Sequence, residues 1–367
     1  MTDGTSPSGS QSGTIAHYAA AAAESLQNWY DRKTGLWAVP GRGKLRGPGD
    51  PGWWNSANAL YALIDYMSLT GTAGYLDVVE NTFDRHERSG FLNQFYDDEG
   101  WWALAWISAH DLARDPERGQ RYLAMAARLF EDMTRGWDER TCGGGVLWKK
   151  GTDSKNSIEN ELFLDVAVRL HQRVPPAERA HYRQWADRAG QWFHEKFIVT
   201  HPQHLIYDGL TSTGSHEGHK QTYTYTQGVI LGALVDMAIS EIDIAGHDPL
   251  PIARQTADAV LASPVLAQDG VLTEFGSPGA DDNDRPQFKG IFMRNLGFLA
   301  AHVGPPENAS YVAFIRRNAS SLLASNRDCA AQFGYRWQGP FDGPDSVRQS
   351  SGLEAVNAAL RAGVGSL

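Results

Sequence analysis

Two kinds of helical pattern alternate along the chain. The first is amphipathic and charged, and it falls at 15–30, 73–87, 117–137, 177–197, 251–263 and 307–325. In 118–130, Leu123, Ala126, Ala127 and Phe130 keep helical spacing, with Arg and Gln between them. The second kind is poorer in charge and rich in Ala, Leu and Gly, and aromatic, amide or acidic residues mark its start. It reads as Trp53-Trp-Asn-Ser-Ala-Asn-Ala-Leu-Tyr61, as 97–112, and as Asn156-Ser-Ile-Glu-Asn-Glu-Leu-Phe163 running on to His171. Further copies are Tyr223-Thr-Tyr-Thr-Gln-Gly-Val-Ile-Leu231, Phe288-Lys-Gly-Ile-Phe-Met-Arg-Asn-Leu296 and Gln349-Ser-Ser-Gly-Leu-Glu354. Successive starts lie roughly 40 to 70 residues apart, a period that calls for a repeat architecture.

Six charged helices alternating with six apolar ones predict an all-α fold, an (α/α)6 barrel. Outer helices wetted on one side read amphipathic, and inner helices buried nearly all round read apolar. An α-solenoid also stacks helix pairs, but its repeats resemble one another in sequence. Here the repeats share a layout and not residues, which favours the closed barrel. Strand signals are few, and no run of βαβ units is present. The polar starts of the inner helices are expected to gather at one end of the toroid, where a site would be built. Residues 14–367 read as one catalytic domain after a Ser/Gly/Thr-rich tail, 1–13, that reads as disordered. The stretches 40–52 and 277–286 read as loops at the rim of the site.

Composition narrows the partners. The chain has 367 residues, 42% hydrophobic and 21% charged, which is ordinary for a globular protein. A formal charge of −10 argues against nucleic acid or an anionic membrane. No apolar run is long enough to span a bilayer, so membrane insertion is not expected. Two cysteines, Cys142 and Cys329, make no disulfide framework. The start has no basic n-region, so the chain as written reads as cytoplasmic. Nothing suggests an obligate protein partner.

The candidate chemistry centres on Phe95-Tyr-Asp-Asp-Glu-Gly-Trp-Trp102. Asp97 and Asp98 stand at the mouth of an apolar helix, with Trp101 and Trp102 one turn on. Paired carboxylates perform acid, base and nucleophile work on glycosidic bonds, and indoles are flat plates suited to sugar C–H faces. Aspartates at a helix start also serve as caps. A helix N-terminus is expected to depress a carboxylate pKa, which suits an ionised nucleophile. A partner acid then keeps its proton only if burial and like-charge repulsion outweigh that field. Other helix starts supply sugar-compatible groups: Trp53, Trp54 and Asn55; Tyr96; Asn156 and Asn160, which share a face at i,i+4; Tyr225 and Gln227; Phe288 and Lys289. Asp208 precedes Gly209 and also suits a turn. Cys142-Gly-Gly-Gly-Val-Leu-Trp148 permits unusual backbone conformations or a close ligand approach, with Trp148 as a sugar platform. His216-Glu-Gly-His219 lacks metalloprotease spacing and reads as a solvated loop, so no metal is expected.

Taken together, Tyr96-Asp-Asp-Glu-Gly-Trp-Trp-Ala-Leu-Ala-Trp106, Cys142-Gly-Gly-Gly145, Lys155-Asn156 with Asn160-Glu-Leu-Phe163, Asp208-Gly209, Thr226-Gln-Gly228 and Phe288-Lys-Gly-Ile-Phe292 resemble glycoside hydrolase family 76, in that family's order, from about Trp53 to Leu296. The resemblance implies a single (α/α)6 barrel and a retaining endo-α-1,6-mannanase without a cofactor. It implies Asp97 as nucleophile and Asp98 as general acid/base, with carboxyls about 5–5.5 Å apart. Asp208 and the Trp and Tyr residues would hold the ring at the reacting subsite, and the partner would be an α-1,6-linked mannose glycan. Family members are commonly secreted, so a leaderless chain points to short α-1,6-mannosyl oligosaccharides or a glycolipid head group. A transglycosidase on the same glycans, or a catalytically silent carbohydrate-binding member, are the alternatives. A sugar epimerase on this toroid would carry histidines at the inner-helix starts, whereas His110, His171 and His302 lie well along or near the ends of theirs.

Overall fold

The computed structural model describes residues 14–39, 47–48, 50, 52–274, 276, 282 and 284–365. The expected tail at 1–13 and most of the two expected rim loops lie outside the described residues. Among the described residues the chain forms helices α1 (Ile15–Leu26), α2 (Trp53–Thr70), α3 (Leu76–His86), α4 (Tyr96–Leu112), α5 (Pro116–Thr134), α6 (Ser157–Arg173), α7 (Arg179–Phe193), α8 (Thr224–Ile239), α9 (Pro249–Ala262), α10 (Arg285–Val303), α11 (Ala309–Ser325) and α12 (Ser346–Arg361). Three antiparallel ribbons of two-residue strands join loops: β1 (Tyr30–Asp31) with β2 (Leu36–Trp37), β3 (Lys155–Asn156) with β4 (Gly209–Leu210), and β5 (Ala267–Gln268) with β6 (Val271–Leu272).

The even-numbered helices form a closed ring, α2–α4–α6–α8–α10–α12 and back to α2. The odd-numbered helices pack outside it, and α1 closes the circuit by packing on α12. This is the (α/α)6 barrel that the alternating patterns predict, and α6 shows why an inner helix lacks a polar stripe: every residue from Ser157 to Leu170 is buried. Outer helices start on local signals. Asp115 accepts from the Glu117 N–H with Pro116 at the first position, and Asp248 accepts from the Leu250 N–H ahead of Pro249. Among the described residues no helix is long and apolar enough to cross a membrane.

Connection length gives the barrel two unlike ends. Inner-to-outer links are short, at 71–75, 113–115, 174–178, 240–248 and 304–308. Outer-to-inner links are mostly long, at 27–52, 135–156, 194–223, 263–284 and 326–345, with 87–95 shorter. The long links therefore arrive at the N-terminal ends of the inner helices. Their buried backbone needs partners, and inner-helix amides supply several. Asn160 accepts from the Val146 N–H (2.7 Å) and donates to the Val146 carbonyl (3.1 Å). Gln227 does the same to Ile206, at 2.8 and 2.9 Å. Gln349 accepts from the Phe333 N–H (2.9 Å) and donates to the Ala331 carbonyl (3.1 Å). Asn160 and Gln227, expected as ligand groups, thus spend their hydrogen bonds holding loops.

The opposite end is tied by buried charge. Arg169 of α6 meets Asp165 and Asp236 of α8 at 2.8 and 2.9 Å and donates to the Tyr61 hydroxyl of α2. Arg294 of α10 pairs with Glu354 of α12 at 2.6 Å and donates to Asn58 of α2. Glycines set the closest inner contacts: a Cβ on Gly228 would lie 2.6 Å from the Phe292 Cα, and one on Gly290 would lie 2.5 Å from the Ser351 Cα.

Two stability tests follow. Gly to Ala inside a helix ordinarily stabilises by ~0.5–1 kcal/mol. At Gly228 the sign reverses, because α10 backbone must move; Gly228→Ala is expected to lose about 1–3 kcal/mol in urea unfolding with helical content preserved. Gln227→Leu leaves the Ile206 N–H and carbonyl buried without partners. It is expected to cost about 2–4 kcal/mol by the same assay.

Candidate active site

The first turns of α2, α4, α6, α8 and α10 line a cavity of about 810 Å³. Its lining includes Trp54 from α2, Asp97, Asp98 and Trp101 from α4, Trp148, Asn156, Ile158 of α6, Asp208, Tyr223 and Tyr225, and Arg285 and Phe288 of α10. One wall is a continuous arc of rings. Trp101 stacks on Trp54 (centroids 5.7 Å apart), Trp54 meets Phe288 at 6.2 Å, and Phe288 stacks on Tyr225 at 3.9 Å and 15°. Asn93 and Phe95 line the other side, where the Phe95 ring lies 5.2 Å from Trp148. A hollow of equal volume over α11 is lined by Arg316 and Arg317 with no carboxylate, so it lacks groups for acid–base work.

Asp97 and Asp98 lie in the first turn of α4, which has no side-chain cap. The helix's free N–H groups are used locally instead: the Asp98 N–H donates to Asp97 Oδ1 at 3.1 Å. The Trp148 indole N–H donates to Asp97 Oδ2 at 3.2 Å. Asn93 donates its side-chain N–H to Asp98 Oδ2, and its own oxygen accepts from the Phe95 N–H at 2.8 Å. Beneath the pair, Lys150 binds Glu99 (2.7 Å), Asp132 (2.5 Å) and the Asn93 carbonyl (2.8 Å), which fixes the loop that carries Asn93.

The depressed pKa expected at this helix start is not what the surroundings produce. Burial pushes Asp97 up to about 7, against the pull of the Trp148 and Asp98 N–H groups. Burial, and then the neighbouring Asp97 charge, raise Asp98 well above the carboxylate range. Removal from water outweighs the helix field. The donors are nevertheless usefully placed, since two N–H groups favour the charge on Asp97 while that charge favours the proton on Asp98. Burial also lifts Glu99 to about 8 and Asp208 to about 6, and raises Glu159, which lies close enough to feel Asp97.

Nine of the residues singled out from the sequence meet here: Asp97, Asp98, Trp54, Trp101, Trp148, Asn156, Asp208, Tyr225 and Phe288. The others do not line the cavity. Trp53 and Trp102 are fully buried and pack on each other (4.7 Å), with Trp102 also on Phe91 and Trp106, as an aromatic core between α2 and α4. Asn55 is buried within α2. Tyr96 is buried beside Gly136 under the Lys150 ammonium. Asn160 and Gln227 hold loop backbone. Lys289 is buried, donates to the Tyr335 carbonyl and lies 4.2 Å from the Tyr335 ring centroid; burial lowers its amine to about 7.

The glycine loop resolves toward backbone conformation. Gly143, Gly144 and Gly145 have φ of +69°, +146° and +90°, and Gly144 and Gly145 press on Trp192 with no room for a ligand. His216 places its two ring nitrogens 2.8 Å from the Gly209 and Lys196 carbonyls. Among the described residues no three His, Cys, Asp or Glu side chains could share a metal ion. Sequence reading gave no role to Asn93 and Ile158, and placed Asp282, Asp284 and Arg285 only within a rim loop, yet all five line the cavity. Asp284 accepts from the Trp54 indole at 3.0 Å. Its signal was the acidic run Asp281-Asp-Asn-Asp284 directly before an inner helix.

Comparison with known proteins agrees with this geometry. Over 94% of this chain and 98% of its own, the α-1,6-mannanase GH76A of Salegentibacter sp. HEL1_6 superposes with a TM-score of 0.80 at 26% identity. An inactive variant of that enzyme, with two consecutive aspartates replaced by asparagine, is known in complex with α-1,6-mannotriose; it superposes with a TM-score of 0.79 at 25% identity, over 94% of this chain and 99% of its own. Mannan endo-1,6-alpha-mannosidase DCW1 of Eremothecium gossypii is 25% identical over 74% of this chain, which spans 63% of that protein's length. The model of glycosyl hydrolase family 76 matches residues 14–365, and the chain belongs to that family.

Proposed function

We propose that the protein is a retaining glycosidase that cleaves α-1,6-mannosidic linkages in mannan or manno-oligosaccharides. The observation that carries the proposal is the adjacent pair Asp97–Asp98 in an aromatic-walled cavity, with the Trp148 indole and Asp98 N–H groups on Asp97 and the Asn93 amide on Asp98. The Salegentibacter enzyme, whose paired-aspartate variant is inactive and holds α-1,6-mannotriose, supports both the residue pair and the substrate class. The relatives named mannan endo-1,6-alpha-mannosidase support the same linkage.

In this mechanism Asp97, ionised, attacks the anomeric carbon while Asp98 delivers its proton to the departing glycosidic oxygen. The C–O bond to the leaving sugar breaks, and an ester to Asp97 forms. Asp98, now a carboxylate, takes a proton from water, whose oxygen displaces Asp97 and restores both groups. Asp208 and Asn156 offer polar contacts to ring hydroxyls. The arc from Trp101 to Tyr225 offers apolar faces to the sugars on either side.

Incubation with linear α-1,6-mannan, with products resolved by size and anomers followed by NMR, tests the reading. Shorter oligomers released first as the α-anomer are expected. Products longer than the substrate would instead identify a transglycosidase, and a folded protein that binds oligomers without turnover would leave only a binding role.

The pair can also be separated chemically. Asp98→Asn is expected to lose about 10²–10⁴-fold on mannan, much less on an α-mannoside with a good aryl leaving group, and to form α-mannosyl azide when azide is added. Asp97→Gly with azide is expected to give the β-azide. The opposite pair of products would exchange the two roles.

The pH dependence has a definite sign. Asp97 must be ionised, so kcat/KM rises with pH through about 7. Asp98 must hold its proton, and its pKa lies well above the usual carboxylate range, so the fall comes at higher pH. A neutral to mildly alkaline optimum is expected, and an optimum near pH 4 would contradict the assignment.

A further inference from the structure

Trp148 lines the cavity and looks, from sequence, like a plate for a sugar. Its geometry is different. The indole N–H lies in the plane of the ring and points at Asp97 Oδ2, 3.2 Å away. The edge of the indole therefore faces the carboxylate. A sugar whose anomeric carbon is presented to Asp97 sits off that edge and not over the ring face. The ring also packs against Phe95, at 5.2 Å and 55°.

The placement of this edge is built into the backbone. The Tyr96 N–H donates to the Trp148 carbonyl at 3.1 Å, and Phe95 and Lys149 form a β-bridge. The Trp148 N–H donates to the Ser154 carbonyl at 2.8 Å, and the Leu147 N–H to the Gly136 carbonyl at 2.9 Å. Upstream, the buried Lys155 ammonium gathers the carbonyls of Asp138, Thr141 and Gly144 at 2.5, 2.5 and 2.6 Å, which shapes the glycine loop leading to Trp148. The segment carrying Trp148 is thus pinned to the residues just before Asp97.

We propose that Trp148 is a positioning residue for the nucleophile: its indole N–H, together with the Asp98 backbone N–H, fixes one oxygen of the Asp97 carboxylate each, so that the charged group is held and aimed before substrate arrives. The inference rests on Asp97 being the nucleophile. The carboxylate's two oxygens take one bond each, from Trp148 at Oδ2 and from the helix start at Oδ1. A donor to the charged form favours that form, and this one acts in a site where burial works against it.

The test replaces Trp148 with Phe and, in a second variant, with β-(3-benzothienyl)alanine, which keeps the indole shape and exchanges N–H for sulfur. Wild type is first labelled with an α-1,6-mannobiosyl fluoride bearing a second fluorine on the reacting ring, and the modified peptide is mapped. Label on Asp97 establishes the nucleophile; label elsewhere removes that assignment and this inference with it. With Asp97 labelled, both variants are expected to shift the acidic limb of kcat/KM to higher pH. Both are also expected to lose about tenfold in kcat below the limb, with KM changed less than about twofold. An unmoved limb in the benzothienyl variant, with KM raised only in Trp148→Phe, would make Trp148 a sugar platform and overturn the proposal.

Discussion

All six inner helices start at the same end of the barrel, and most other features of the molecule follow from that. A helix start carries N–H groups without intrahelical partners and a partial positive charge. Six starts around one opening concentrate both. The long outer-to-inner links must also reach that end and bury backbone there. Polar side chains in the first turns therefore have two duties, to satisfy the loops and to face the cavity. Asn160, Gln227 and Gln349 perform the first, and Asp97, Asp98 and Asn156 perform the second. At the other end the links are short, and the ring is instead tied by charge through Arg169 and Arg294.

The contest between helix field and burial decides how the carboxylates behave. A helix N-terminus lowers a carboxyl's pKa, and loss of water raises it by more when burial is deep. Asp97 and Asp98 are neighbours in one turn and feel similar helix fields, so the difference between them comes from elsewhere. Asp97 has the Trp148 and Asp98 N–H groups to stabilise its charge, whereas Asp98 has Asn93 and must bear the charge of Asp97 beside it. An asymmetric pair thus arises from two identical side chains. Lys150 contributes indirectly: it binds Glu99 and Asp132 below and holds the Asn93 carbonyl, which sets the position of the amide that binds Asp98.

The helices were legible because their signal is collective. A buried inner helix and a half-wetted outer one differ over fifteen or more residues, and no single side chain can spoil the contrast. The site was legible where residues were adjacent in sequence, as with Asp97, Asp98 and Trp101, or stood at a helix start facing the axis, as with Trp54, Tyr225 and Phe288. It was misread where chemistry was right and direction was not. Successive residues on a helix are turned by about 100°, so in Trp53-Trp54 and Trp101-Trp102 one indole of each pair faces the cavity and the other enters the core. The same composition therefore serves two purposes that spacing alone cannot separate. Amides were misread for a related reason: Asn160 and Gln227 hydrogen-bond to backbone amides brought from far along the chain, which no local pattern announces. Asn93 was passed over, and Asp284 was read only as part of a rim loop, because both precede their helices in segments that carry no periodicity.

This division of labour explains how one toroid can hold a costly site. Buried carboxylates such as Asp97, Asp98, Glu99 and Glu159 oppose folding whenever they are charged, because the native state binds their protons more tightly than the unfolded chain does. Their stabilising contribution is complete below the unfolded-state pKa and is lost as pH rises through the raised native values. The chain offsets that loss in places the substrate never touches: the aromatic core around Trp53, Trp102 and Trp106, the glycine contacts between α8, α10 and α12, and the arginine ties at the far end. Because those contacts lie in the walls and floor, the cavity-lining residues are left with the burial and charge that chemistry requires. The first turn of α4 can then remain a poor helix start, uncapped and crowded with acids, because α4 is held by its neighbours along the rest of its length.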